Sequence, residues 1–309
     1  MVATKWDDGT LAISHAAVQG EPRSVADLID FGEHVLQGSR HIDSSHSHRD
    51  DAETLLAAAL QGASAPPGDR PAKAARDRYL AMIARRAGGE PVAQITGSVD
   101  FDGLSLRVRH GTFVPRPSSV WTVEYLAETW APSARPTIVD LCTGVGAIGL
   151  ALARRLPHAV VWGTDISEMA CHEARANARR HGLANVRIRR GSAFEPLPRR
   201  LRGELDAIVG YIPYLSSDDI RGLYTEVGSY DALHTLTDLS EDGFDLLRHV
   251  VQTAPQWLQP GGRLVIQIDP ETAPRLGTLL RTNGLQDVQT IGSERSWDVL
   301  VEGIRPTQG

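Results

Sequence analysis

The run Asp140-Leu141-Cys142-Thr143-Gly144-Val145-Gly146-Ala147-Ile148-Gly149 sets an acid and three glycines between two apolar stretches. Glycines at such a turn let the backbone approach a ligand closely. In open α/β sheets, ligands bind beyond the carboxyl ends of strands, at turns of this kind. The letters satisfy G-x-G-x-x-G, a weak dinucleotide signal when it stands alone. Two details favour another ligand. Asp140 ends the expected strand, and three residues separate it from Gly144. A dinucleotide site usually starts its glycines directly after the strand and meets a pyrophosphate with the helix N-terminus. S-adenosylmethionine has no phosphate; it carries a sulfonium, an ammonium and a ribose diol, and a carboxylate suits that charge. Asp165, 25 residues on, is placed to accept both ribose hydroxyls, although an acid there serves either cofactor. S-adenosylmethionine is the favoured ligand, with a dinucleotide and a ligand-free structural turn as alternatives.

Two further stretches extend the site. Gly191-Ser192-Ala193-Phe194 follows the third expected strand, where an adenine would lie unless this is an ordinary turn. Gly210-Tyr211-Ile212-Pro213-Tyr214 follows the fourth, at the expected position of the transferred methyl. Its plainer alternative is a proline turn with two core aromatics. The expected cofactor-binding set is Asp140, Thr143, Gly144, Gly146, Asp165, Ile166, Ser192, Ala193 and Gly210. Tyr211 and Tyr214 are the candidate catalytic residues. Methyl transfer from a sulfonium is an in-line displacement, to which a protein contributes proximity, alignment and removal of water. A base helps only if the nucleophile must lose a proton. The two tyrosines are therefore candidates to orient a nucleophile, or to hold the sulfonium against their π faces.

The elements that must position these residues are legible in the hydrophobic periodicity. From 137 on, strands and helices alternate, the signature of a parallel sheet with helices on both faces. Strands are expected at 137–141, 159–164, 186–190, 205–210 and 263–268, and helices at 147–156, 167–181, about 238–257 and 270–283. The tail, 286–291 and 296–303, reads as an antiparallel strand pair at one end of the sheet. Before this lie three short helical patterns, 25–36 capped by Ser24, 50–60, and 72–87. Short strands are expected at 94–97, 104–108 and 112–114, with turns at Asp102-Gly103 and His110-Gly111, then a helix after Pro117 to about 130. The fold class is α/β. The expected domains are a helical one over 1–90, a β-hairpin linker over 91–116, and a parallel-sheet α/β domain over 117–309.

Composition narrows the class. The chain has 309 residues, a formal net charge of −6 and 41% apolar residues, an ordinary globular balance. Its apolar runs fall far short of the ~20 residues that span a bilayer, and Met1–Gly20 lacks a signal-peptide layout. Two cysteines, Cys142 and Cys171, exclude a disulfide framework and make a reducing cytoplasm the expected setting. Mild acidity argues against a dedicated nucleic-acid binder.

The sequence resembles the HemK-type glutamine methyltransferases, which modify peptide-chain release factors, over roughly 25–301. The resemblance is carried by Arg85-Arg86-Ala-Gly-Gly-Glu90-Pro91, Gly97-x-x-x-Phe101-x-Gly103, Thr112-Phe-Val-Pro115-Arg116-Pro117, the Asp140–Gly146 loop, Asp165, Phe194-Glu195-Pro196 and Leu258-x-Pro260-Gly261-Gly262. It implies an N-terminal helical domain that recognises substrate, a hairpin linker, a Rossmann-like methyltransferase domain with Arg116, Pro117 and Pro213 on its substrate side, and S-adenosylmethionine as donor. It also places Glu226-Val227 and Asp231 in a loop that would position a lid.

One departure bears on the chemistry. The family's Asn-Pro-Pro-Tyr motif falls at 211–214, where this chain has Tyr211-Ile212-Pro213-Tyr214. A carboxamide nitrogen is a poor nucleophile because its lone pair is delocalised into the carbonyl. In the family, the Asn oxygen and the next carbonyl accept the amide's hydrogens and aim it at the methyl. A phenol can donate and accept, but lacks the carboxamide's geometry. The loss of proline at Ile212 frees that φ. Ser192 and Ser118 replace two further acids of the pattern. The cofactor scaffold is kept while the substrate side is rebuilt. The expectation is therefore a diverged methyltransferase acting on a small molecule in a biosynthetic pathway. The alternatives are a cyclase or lyase releasing methylthioadenosine, a genuine protein-glutamine methyltransferase, and a non-catalytic cofactor-binding partner.

Other features are expected to be structural. His41, Asp43, His46 and His48 read as a polar loop rather than a metal site. The arginines at 187, 189, 190, 199, 200 and 202 read as a solvated face rather than an RNA-facing patch. Cys142 is expected to pack, not to attack, and Trp121, Tyr125 and Trp130 to be core.

Overall fold

The computed structural model describes residues 23–42, 47–62, 65–131, 133–221 and 233–307. They form two compact units, one reaching Gly97 and one beginning at Ser98. The segment 91–116, expected to be a linker, is divided between them, and its hairpin belongs to the second unit.

The first unit is helical: α1 Val25–Gln37, α2 His48–Ala59, α3 Lys73–Ala87 and α4 Val92–Thr96. Ser24 starts α1 with a reciprocal cap, its hydroxyl accepting from Asp27 N–H while the Asp27 carboxylate accepts from Ser24 N–H. Helices this short need tertiary packing. Leu28, Leu36, Leu55, Tyr79 and Ile83 supply it as one buried cluster. Gly32 makes the close approach possible, because a Cβ there would stand 2.0 Å from the Tyr79 hydroxyl, which donates to Leu28 O at 2.9 Å. The strand expected at 94–97 is instead α4. Pro91 opens it in extended backbone and Gly97, at φ +79°, closes it in the left-handed region. Four or five residues cannot separate the strand and helix periods.

The second unit begins with a hairpin, β1 Ser98–Phe101 and β2 Leu104–Arg107. Its turn residues Asp102 and Gly103 both take positive φ, which matches the twist of the strands. The strand expected at 112–114 does not form, and Thr112 closes a turn on Arg109. Next come α5 Ser119–Ala127, β3 Thr137–Leu141, α6 Ala147–Arg155, β4 Val160–Asp165, α7 Glu168–Arg180, β5 Val186–Arg190 and β6 Leu205–Gly210. After them come α8 Ser217–Arg221, α9 Asp245–Trp257, β7 Leu258–Ile268, α10 Ala273–Thr282, β8 Gln286–Ser293 and β9 Ser296–Ile304.

Among the described residues the sheet order is β5-β4-β3-β6-β7-β9-β8, parallel through β7 and antiparallel beyond it. The tail strands were expected as a terminal pair, and β9 is the one that inserts against β7. Alternate residues of β3 enter opposite cores. Val139 and Leu141 pack with Leu247, Val251 and Leu276 of α9 and α10, whereas Ile138 packs with Val123, Leu150 and Ala151 of α5 and α6. Period-2 patterning buries both faces this way. The chain moves outward from β3 to β5 and returns to β6 on the other side of β3, so the carboxyl ends of β3 and β6 flank a topological switch point.

Candidate active site

In sheet register, Leu141 pairs with Thr164 on one side and Gly210 on the other. The next residue of each strand therefore emerges at one level, bringing Cys142, Asp165 and Tyr211 to the same edge.

The glycine loop is held from beneath by Asp140, which is 1% exposed. Its Oδ2 accepts from Thr143 Oγ1 at 2.5 Å and from Gly149 N–H at 2.9 Å. Asp140 thus braces the loop, a more structural position than the ligand-facing one its place at the strand end suggested. Burial pushes its carboxyl up to about 7, the two hydrogen bonds oppose this, and the nearby Asp165 charge adds to it. Asp165 caps the turn from the other side, with Oδ2 accepting from Gly144 N–H at 2.9 Å and Oδ1 from Ser167 N–H at 2.8 Å. Burial raises its carboxyl too. Each carboxylate oxygen has a further lone pair. Gly144 takes φ +56° with nothing within 4 Å of a Cβ position, so the turn is open on the side a ligand needs. Gly146, at φ +94°, packs against Leu150 and Ala174.

Ile166 is 60% exposed, an apolar shelf one residue beyond Asp165. Gly191 N–H donates to Asp165 O at 2.9 Å and so ties the half-buried Ser192 and the buried Ala193 to this edge. Phe194 lies away from it, stacked on Trp257 at 5.5 Å in the core. Cys142 is a thiol, since burial pushes its pKa far up, which suits packing and not attack.

The donor set fits a cation. Two carboxylates whose charges repel each other would resist a pyrophosphate and would be relieved by a sulfonium or ammonium. A ribose diol can use the free lone pairs of Asp165.

The tyrosine side is a separate cluster. The Tyr211 ring meets Phe113 edge-on at 5.8 Å and Tyr214 at 6.4 Å, and the Arg116 guanidinium lies 4.8 Å over Phe113. Burial raises the pKa of both phenols well above the usual value, so both stay protonated near neutrality. Ile212 is 1% exposed and fills the core. Pro213 is half-buried, and Pro117 is exposed at the turn before α5.

Several supports were not anticipated from sequence. Asn177, buried on α7, donates to Val145 O at 3.0 Å and pairs with the Arg107 backbone, clamping the glycine loop to β2. After burial, the charge of Asp298 on β9 also raises the Tyr211 phenol. A lone Asn in a helix and an Asp in a tail strand give no spacing signal. Glu226, Val227 and Asp231 lie outside the described residues, as do Asp43 and His46; no metal-binding cluster occurs among the described residues. Arg189 and Arg200 lie over Trp162, and Arg202 over Trp257. Trp121, Tyr125 and Trp130 pack against the α5–α6 core. No helix among the described residues is long and apolar enough to cross a membrane.

Comparison with known proteins agrees with this layout. Residues 27–97 match the PrmC N-terminal domain model and residues 138–230 a methyltransferase domain model. A release factor glutamine methyltransferase of Bradyrhizobium diazoefficiens is 37% identical over 244 residues, covering 76% of this chain and 80% of that protein. One from Gloeobacter violaceus is 35% identical over 69% of this chain and 74% of its own length. One from Xylella fastidiosa is 35% identical over 84% and 94%.

Proposed function

Since the chain belongs to the release factor glutamine methyltransferase family, we propose that it transfers a methyl group from S-adenosylmethionine to a glutamine side-chain amide of a release factor. The observation that carries this reading is the retained first unit. Its buried core is intact, and it matches the family's N-terminal module over nearly all its described length. In the family that this chain resembles, such a module would recognise the substrate, which favours a protein acceptor.

The bound donor supplies an electrophilic methyl on a cationic sulphur. Asp165 would hold the ribose hydroxyls and Ile166 would offer its apolar surface to the adenine, while Asp140 braces the loop through Thr143 and Gly149. Tyr211 and Tyr214 orient the acceptor nitrogen as neutral hydrogen-bonding groups. With their pKa values raised, both stay protonated near neutrality and offer no phenolate to act as a base; an in-line displacement tolerates this, because the N–C bond forms as the S–C bond breaks and the amide proton then leaves to solvent. Proximity and exclusion of water supply the acceleration, an effect worth roughly 7–11 kcal/mol in well-oriented systems.

The small-molecule acceptor expected from the altered motif finds no support among the relatives. One observation keeps it as the second reading: Tyr211 and Ile212 stand where the family has Asn and Pro, and Ile212 has become part of the core. Incubation of the purified chain with a release factor and methyl-labelled S-adenosylmethionine decides between them. Label on a release-factor glutamine supports the proposal. Turnover to S-adenosylhomocysteine only with a small acceptor defeats it, and methylthioadenosine formed without any acceptor would indicate cyclisation.

A further inference from the structure

The arginines expected to form a solvated face have seats that the sequence did not show. Residues 175–202 hold nine arginines and one acid, Glu195, in a chain whose net charge is −6. All nine arginines are exposed. They lie on and around β5, the outermost strand of the sheet, which has a neighbour on one side only. Arg187 stands in register with Trp162 of β4, and Arg189, two residues on, leaves the strand on the same face. Its guanidinium lies 5.9 Å from the centre of the Trp162 ring. The chain beyond β5 brings Arg200 to that ring as well, at 6.0 Å, and sets Arg202 over Trp257 at 5.3 Å. Both indoles are buried, so exposed guanidiniums lie over rings that solvent does not reach. On the other face, Arg175 of α7 donates to Ile188 O at 3.2 Å and extends the charge around the edge.

Among the described residues, Arg190 is the one arginine of this segment that pairs with a carboxylate, that of Glu168. Elsewhere Arg49, Arg155, Arg248 and Arg263 all have acidic partners. Charge on an edge strand guards against unwanted strand pairing. That accounts for Arg187 and Arg189, but not for Arg200 and Arg202, which lie beyond the strand. An aromatic face attracts a guanidinium and limits its motion. The N–H fork then remains for an outside acceptor, and it matches a phosphate two bonds at a time. The indoles lie beneath the arginines and cannot stack on splayed bases, so the fit is to a backbone and not to single-stranded bases. We infer that this edge binds the phosphate backbone of a double-helical nucleic acid, with Arg189, Arg200 and Arg202 each engaging a phosphate. The acidity of the rest of the chain confines such contact to this edge.

Fluorescence anisotropy with the full chain and labelled duplexes of about 20 base pairs tests this, one of RNA and one of DNA with the same sequence. No methyl donor or acceptor is present, so the result is independent of the reaction proposed above. Binding should weaken steeply as salt rises from about 50 to 200 mM. A triple variant, Arg189→Gln with Arg200→Gln and Arg202→Gln, removes three charges and leaves planar groups to cover the indoles. It should lower the slope of log affinity against log salt by about 3. Arg202→Gln alone should lower it by about 1, and gives the answer if the triple variant melts early. Equal binding of the two duplexes supports recognition through phosphates alone, and tighter binding of RNA supports added contact with the 2′-hydroxyls. Absence of binding to both duplexes at about 50 mM salt overturns the inference. So does a salt slope that the variants leave unchanged. Polyglutamate bound as tightly as either duplex overturns it too, because the edge would then suit an acidic protein.

Discussion

The Asp140 carboxylate accepts a hydrogen bond from Gly149 N–H at 2.9 Å, so an acid next to the last residue of β3 also fixes the first turn of α6. A Cβ on Gly149 would stand 2.9 Å from Asp140 Oδ2 and 3.3 Å from its Cβ. Gly149→Ala must therefore displace the carboxylate and with it the bond to Thr143. Overpacking of this kind costs about 1–3 kcal/mol. Urea denaturation should show that loss, and calorimetry should show weakened S-adenosylmethionine binding.

Near neutrality the same acid imposes a pH dependence. Burial raises the Asp140 carboxyl from 3.8 to about 7. Between about pH 4 and 7 the folded chain keeps a proton that the unfolded chain releases, so this group's contribution is full below pH 4 and is lost as pH rises through 7. A cation bound nearby favours the ionised form. S-adenosylmethionine binding should therefore release protons and strengthen from pH 6 to 8. Calorimetry in buffers of different ionisation heat measures the released protons, and Asp140→Asn should abolish this component.

Tyr211→Phe separates the hydroxyl from the ring. The ring contacts with Phe113 and Tyr214 remain, so the melting temperature should hold nearly constant. Turnover should fall about tenfold, the usual scale for one hydrogen bond to a buried polar partner. An unchanged rate in a labelled-methyl assay would remove Tyr211 from the chemistry.

In the first unit, Arg86 is 1% exposed and its Nε donates to Asp51 Oδ2 at 2.6 Å. Removing one member of a buried ion pair leaves a costly charge behind. Asp51→Ala should destabilise this unit by about 3 kcal/mol. Limited proteolysis should show cleavage within 25–97 before the second unit is cut.

Much of this was written in local chemistry. Period-2 runs at 137–141 and 205–210, the acid and glycines of 140–149 and the cap at Ser24 follow from steric and hydrogen-bonding rules acting over a few residues. Where only four or five residues were available, at 94–97 and 112–114, local signals could not choose between strand, helix and turn, and packing decided. The chemistry of the glycine loop was legible because spacing alone brings Asp140 to Thr143 and Gly149.

The tertiary structure decided which buried polar groups meet across the sheet. Thr122, Gln267 and Asp298 lie on three elements separated by up to 145 positions in pairwise contact, and only the insertion of β9 against β7 brings them together. The sequence determined a turn suited to a positively charged donor, because that turn is built from neighbours in the chain. The bonds that join Thr122, Gln267 and Asp298 depend on groups that meet only across a folded sheet, where burial makes an unsatisfied donor costly and so favours their pairing.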